Sequence, residues 1–353
     1  MIDKESQGDD DMEKELHEHY RFEVDPAQSP IRLDKYLLNK LEKASRSRIQ
    51  KAIKDKAILV NGQEIKSNYK VRPLDTIVIV LPEEPKEKEW AVGEDIPLDI
   101  RYEDEHLMVV YKPPGLVVHP GVGNRSGTLV NGLVHYFSKI ENLPTLPGND
   151  RTRSGLVHRI DKETSGLLVV AKTESAMTHL AKQFFDHTID REYVAIIWGS
   201  LDPSSGTIEG NIGRHPKERK KMFVYVDGED GKEAVTHYET IEDLYYVSLI
   251  KCKLETGRTH QIRVHMASNN HPLFNDQRYG GDKIVKGTVF TKYKQFVHNA
   301  FKLMTRHALH AQSLGFVHPE TKEYMKFETP LPEDMQATID KWRHYVTHQK
   351  SKQ

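Results

Sequence analysis

With 353 residues, 37% of them hydrophobic and 29% charged, the chain is long enough for two or three domains with buried cores. Its net charge of −1 hides a divided chain, because residues 1–25 carry ten acids against three bases, or −7, and the remainder is +6. The longest apolar runs fall far short of the ~20 residues of a membrane helix, no signal-peptide pattern opens the chain, and a single Cys252 excludes an internal disulfide, so a cytoplasmic protein with no membrane partner is expected.

The acidic segment has no periodicity and reads as a flexible tail over residues 1–28. From Ile31 the pattern changes: Leu33, Leu37 and Leu41 recur at fourfold spacing on one short helix. Ser45 can cap a second helix, with Ile49, Ala52 and Ile53 as its apolar stripe and Arg46, Arg48, Lys51 and Lys54 on its other face. Ile58 to Val60 then meets Asn61-Gly62, a dipeptide that supplies the positive φ of a tight hairpin, and Val71 to Leu81 adds strands. Residues 29–82 therefore form a small α/β unit, residues 83–95 a Pro- and charge-rich linker, residues 96–346 a larger domain, and residues 347–353 a short tail.

In the larger domain, strand-like runs at 107–111, 167–171, 193–198, 235–241 and 246–254 alternate with few helices, among them 129–137 after Thr128 and 333–345. Strands follow strands without a helix between each pair, which predicts an α+β fold with a mainly antiparallel, mixed sheet. Cys252 falls on the apolar face of its strand and reads as a core thiol.

Several chemistries are absent from the sequence. There is no G-x-x-x-x-G-K-[ST], Gly121 to Gly127 has one residue too many for a dinucleotide fingerprint, and nineteen histidines include no HExxH, so neither a cofactor nor a metal is expected. Three segments stand out instead. His158-Arg159-Ile160-Asp161 is followed by Thr164-Ser165-Gly166, which is expected to turn the chain into the buried strand Leu167 to Ala171. Arg191-Glu192-Tyr193 opens another strand. Arg258, His260, Arg263 and His265 crowd into eight residues, with a helix expected after Gly257. Taken singly, an Asp before a turn is ordinarily a turn former, a strand Tyr is ordinarily core, and a charge run is ordinarily a solvated face.

Taken together they carry a resemblance. HRIDKETSGLLVVAK, REYVAIIWG, TGRTHQIRVHM, HPLFNDQRYGG and RHALHA, in that order across residues 96–332, resemble the RluA-type pseudouridine synthases. KPPGLVVHPGVGNRSGTLVNGLVHY and GRHPKERKKM resemble the ribosomal large subunit pseudouridine synthase D branch of that family. SRSRIQKAIKDKAILVNGQEI resembles the S4 RNA-binding module of the αL type, with Lys56 where that module has Gly. The resemblance implies an isomerase acting on RNA, with uridines of large-subunit ribosomal RNA as substrate; a monomer is expected.

It also implies roles. Asp161 would act at the sugar, as nucleophile at C1′ or base at C2′, with Arg263 presenting a two-donor fork beside it. Tyr193 would stack on the base and take the C5 proton, and Arg159 would fill the space that the extruded base leaves. His158, Arg258, His265 and the cluster Arg214, Lys217, Arg219, Lys220 and Lys221 would face RNA, as would Arg46, Arg48, Lys51 and Lys54. Two other readings are a non-catalytic S4-type ribosome assembly factor, which has no need of Asp161, Tyr193 and Arg263 together, and a nucleoside hydrolase, which calls for a pair of carboxylates or a metal-binding aspartate cluster.

Overall fold

The computed structural model describes residues 16–26, 28–41, 46–66, 68–82, 92–121, 123–138, 143–145, 154–228, 230–288 and 290–350. Residues 1–89 and 90–353 form two compact units. Ser45, most of the 83–95 linker and the side chain of Arg48 lie outside the described residues.

The first unit runs β1 (Leu16–Glu23), β2 (Ile31–Arg32), α1 (Leu33–Lys40), α2 (Arg46–Lys54), β3 (Ile58–Val60), β4 (Gln63–Glu64), β5 (Lys70–Val71) and β6 (Thr76–Pro82). Leu33 and Leu37 of α1 share a core with Ile49 and Ile53 of α2 and with Val60 and Ile77 of the sheet. Asn61 and Gly62, both at positive φ, close the β3–β4 hairpin as the dipeptide predicts. Lys56 occupies the left-handed position itself, at φ 60°, which costs a non-glycine residue roughly 1–2 kcal/mol.

The expectation of a flexible tail to residue 28 is corrected by β1. Leu16 to Glu23 pairs antiparallel with β6, from Leu16 opposite Pro82 to Glu23 opposite Thr76. Phe22 and Val24 pack on the unit's core. The only local signal is a three-member alternation at Tyr20, Phe22 and Val24 among charged residues, and the partner strand lies far downstream, so pairing rather than propensity makes this strand.

The second unit contains β7 (Asp99–Glu103), β8 (Leu107–Lys112), α3 (Leu129–Tyr136), β9 (Ser165–Ala171), α4 (Glu174–Phe185), β10 (Asp190–Trp198), β11 (Ser205–Arg214), β12 (Met222–Tyr225), β13 (Lys232–Asp243), β14 (Val247–Leu254), α5 (Gln261–Ser268), α6 (Thr291–Leu303), β15 (Leu309–Val317), β16 (Tyr324–Glu328) and α7 (Glu333–Lys350). Its sheet has the order β12-β11-β13-β14-β10-β15-β9-β8-β7, with β16 also on β15. The β9–β15 pair is parallel and the rest are antiparallel.

Both faces of the central strands are covered, which is why β9 reads as an unbroken apolar run. Met108, Val110, Leu168 and Val170 pack with α3, whereas Leu107, Val109, Leu167 and Val169 pack with α4. On β10 the same alternation sends Val194, Ile196 and Trp198 under α6 and α7 and leaves Tyr193 on the α3 side. Cys252 of β14 pairs with Tyr193 of β10, and burial pushes its thiol up to about 12, as suits a core residue. No described helix is long and apolar enough to cross a membrane.

Candidate active site

Asp161 lies on the loop that feeds β9. The turn here is Asp161 to Thr164, closed by the Thr164 N–H on the Asp161 carbonyl at 3.1 Å, so Ser165 and Gly166 already belong to the strand. This differs from the expected Thr-Ser-Gly turn. Gly166 serves close approach instead: at φ 125°, a Cβ there would sit 2.2 Å from the Ala311 carbonyl oxygen of β15.

The loop is pinned from several sides. Buried Lys112 donates to the carbonyls of Pro113, Leu116 and Lys162 at 2.8 to 2.9 Å, and Arg306 Nη1 donates to the Glu163 carbonyl at 2.9 Å. Thr164 Oγ1 is hydrogen-bonded to His307 Nε2 at 2.8 Å. A carboxylate on such a loop keeps its position without being buried out of reach: the Asp161 side chain is 18% exposed.

Arg263 Nη1 donates to Asp161 Oδ2 at 2.8 Å. The expected two-donor fork, however, goes to Asp276: Arg263 Nε and Nη2 reach Asp276 Oδ2 and Oδ1 at 2.7 and 2.9 Å. Asp276 itself accepts from the backbone N–H groups of Arg278 and Tyr279, and the Tyr279 ring lies 5.1 Å from the guanidinium carbon. Arg263 is thus fixed from behind and offers one N–H forward.

Burial alone would raise the pKa of Asp161, but the charges of His260, Arg263 and His307 and the Arg263 hydrogen bond hold it below the usual carboxylate value. Burial pushes His260 down to about 4 and His307 to about 3, so both are neutral near pH 7 and Arg263 is the cation that keeps Asp161 ionised there. Tyr193 is 7% exposed and burial raises its phenol.

Two hollows, of about 570 and 720 Å³, meet at Arg159 and Asp161. Tyr193 and Arg258 line the first, and Arg263, His260 and Arg306 the second. Both are within the ~300–1,000 Å³ range of small-ligand sites. Arg159 is exposed between them, and Arg258 donates from Nε to the Glu233 carbonyl at 2.8 Å.

One expected RNA contact is corrected. His265 is fully buried, its Nδ1 2.9 Å from Thr236 Oγ1. Residues two apart on a helix point about 200° apart, so α5 cannot aim both Arg263 and His265 at one cleft, and the dense donor cluster splits. His158 is a wall of the cleft: its Nε2 accepts the Val169 N–H at 3.0 Å and its ring stacks on Phe184 at 4.6 Å.

The other basic groups fall on other elements. Arg214, Lys217, Arg219 and Lys220 are exposed on the β11–β12 hairpin, while Lys221 pairs with Glu218 at 2.9 Å. In the first unit Lys51 and Lys54 are exposed, whereas Arg46 is 3.2 Å from buried Asp34. The sequence reading missed Asp276, Arg306 and Arg191. Only Arg191 left a signal, being two residues before Tyr193 on a strand and hence on the same face.

Comparison with known proteins agrees with this architecture. The profile of the RNA pseudouridylate synthase family matches residues 106–268, and that of the S4 domain matches residues 31–77. An uncharacterized RNA pseudouridine synthase of Chlorobaculum parvum is 43% identical over 335 residues, 94% of this chain and 99% of the relative. A ribosomal large subunit pseudouridine synthase D of Xylella fastidiosa is 43% identical over 309 residues, 86% of either chain. The solved structure of human RNA pseudouridylate synthase domain containing 4 shares the fold at a TM-score of 0.51 and 22% identity, over 69% of this chain and 92% of its own. The chain belongs to the RNA pseudouridylate synthase family: it is an isomerase of RNA uridines that carries an N-terminal S4 domain.

Proposed function

We propose that the enzyme converts uridines of large-subunit ribosomal RNA to pseudouridine, with Asp161 acting at the sugar, Arg263 as its counter-charge and Tyr193 against the base. The observation that carries the chemistry is the 2.8 Å contact of Asp161 with Arg263 in the wall of an open cleft. The RNA assignment is supported by relatives named ribosomal large subunit pseudouridine synthase D in Xylella, Xanthomonas, Nitrosomonas and Neisseria, 39–44% identical to this chain.

The reaction breaks the N1–C1′ bond, turns the uracil and joins C5 to C1′. C5 gives up a proton and N1 gains one, so nothing is oxidised and no cofactor is called for. Asp161 either attacks C1′ or removes the C2′ proton, and both routes need an ionised carboxylate that the sugar can touch. Burial keeps the Tyr193 phenol protonated near neutral pH, so it takes the C5 proton only as its own moves on, and its ring meanwhile stacks on the base. Arg159, at the junction of the two hollows, takes the place of the extruded base.

The S4 unit, through α2, recruits the RNA, and the β11–β12 hairpin adds phosphate contacts. A monomer is the proposed working form, and a ribosomal substrate puts the enzyme in the cytoplasm. A non-catalytic assembly factor would not need the pinned Asp161 loop. Mapping pseudouridines in cells with and without the protein tests the assignment: particular large-subunit sites are expected to vanish without it. Loss confined to transfer RNA would defeat it.

A further inference from the structure

We infer that Arg191 seats a backbone phosphate of the RNA immediately beside the target nucleotide. This rests on the reading of the Asp161 cleft as the place where the uridine is held. Arg191 lines the 570 Å³ hollow with Arg159, Asp161, Tyr193 and Arg258, yet it is itself only 8% exposed.

A guanidinium that loses its hydration needs an anion or carbonyl acceptors in exchange. Arg191 has neither among the described residues: its buried Nε has no hydrogen-bond partner, and no carboxylate lies within ion-pair distance. Its neighbours are the Phe184 ring, 5.2 Å from the guanidinium carbon, and Gly257, where even a methyl group would come within 3.0 Å of Nη1. A ring face does not replace the lost hydration, and the absence of a side chain at 257 leaves the guanidinium room.

A second unsatisfied donor lies in the same wall. His158 Nε2 accepts from Val169, which puts the proton of the neutral ring on Nδ1, and that atom is buried without a partner. The Arg191 guanidinium, on the wall of the hollow and without an acceptor among the described residues, calls for a group that only accepts. A phosphodiester fits this description. The one acid of the hollow, Asp161, is already matched by Arg263, so the hollow is cationic. Adjacency to Tyr193 and Asp161 limits the phosphate to one flanking the target.

The test uses the full-length enzyme and total RNA from cells lacking it, with rates read at whichever sites the wild type restores. Arg191→Met is expected to lower kcat/KM about 10- to 100-fold, the loss of a charged hydrogen bond. It should also flatten the dependence of log rate on log salt by roughly one phosphate contact. Its melting temperature should hold, because an unpaired buried charge is replaced by an apolar chain of similar length. Arg191→Lys should recover much of the rate, and Arg191→Gln repeats the uncharged arm should the Met variant be unstable. An uncharged variant with the wild-type rate and salt slope overturns the phosphate seat. If the restored sites lie outside large-subunit RNA, the target assignment fails while the phosphate seat is still judged by those same rates.

Discussion

Asp276 takes two nitrogens of the Arg263 guanidinium, Nε at 2.7 Å and Nη2 at 2.9 Å, and thereby leaves Asp161 a single N–H. The counter-charge of the proposed catalytic carboxylate is held by a second carboxylate that lines only the far side of the cleft. This relay makes Asp276 a positioning residue.

Asp276→Ala leaves the buried guanidinium without its main partner, and breaking such a pair costs about 3–5 kcal/mol. Melting should fall by on the order of 10 °C. Asp276→Asn, which keeps one acceptor and the shape, should fold more stably yet form pseudouridine more slowly than wild type. Wild-type turnover in a folded Asp276→Asn variant would separate Asp276 from the site.

Asp161→Asn preserves an acceptor for Arg263 Nη1 and removes only the charge. RNA binding by filter retention should stay within a few-fold of wild type, while pseudouridine formation disappears. Product at a measurable fraction of the wild-type rate would remove Asp161 from the chemistry.

The pH dependence has a worked sign. Burial pushes His158 and His307 down to about 3, and His260, His265 and His310 to about 4, from an ordinary 6.5. Between those values the unfolded chain binds more protons than the folded one, so stability is whole above pH 6.5 and drains as pH falls toward 4. Asp161 and Asp276, depressed below 3.8, lose their contribution only at lower pH still. Melting temperature should therefore drop steadily from pH 7 to pH 5, while single-turnover rates of the folded enzyme show no Asp161 titration in that interval. A flat melting profile would contradict the burial of these rings.

The N-terminal strand gives a truncation test. Removing residues 1–15 leaves β1 on β6, whereas removing residues 1–23 strips a seven-residue ladder and exposes the β6 edge. Hydrogen exchange in β6 should accelerate only in the longer truncation. Deleting residues 1–82 altogether should weaken RNA binding and blur site choice, and unchanged affinity in that form would free the S4 unit from recruitment.

Much was legible in the residues themselves. The unbroken apolar run of β9, the Asn61-Gly62 hairpin, the Thr128 cap and the Asp161, Tyr193 and Arg263 segments are local signals, since period, turn chemistry and capping act over a few residues. The sequence by itself determined the α+β class, the two units and which segments line the cleft. Tertiary structure alone decided that β1 is a strand, that His265 faces the core while Arg263 faces the cleft, and that Asp276 rather than Asp161 receives the fork. Each of these depends on a partner distant in sequence, and hydrogen bonds between distant residues leave no periodicity for a reader of one chain to find.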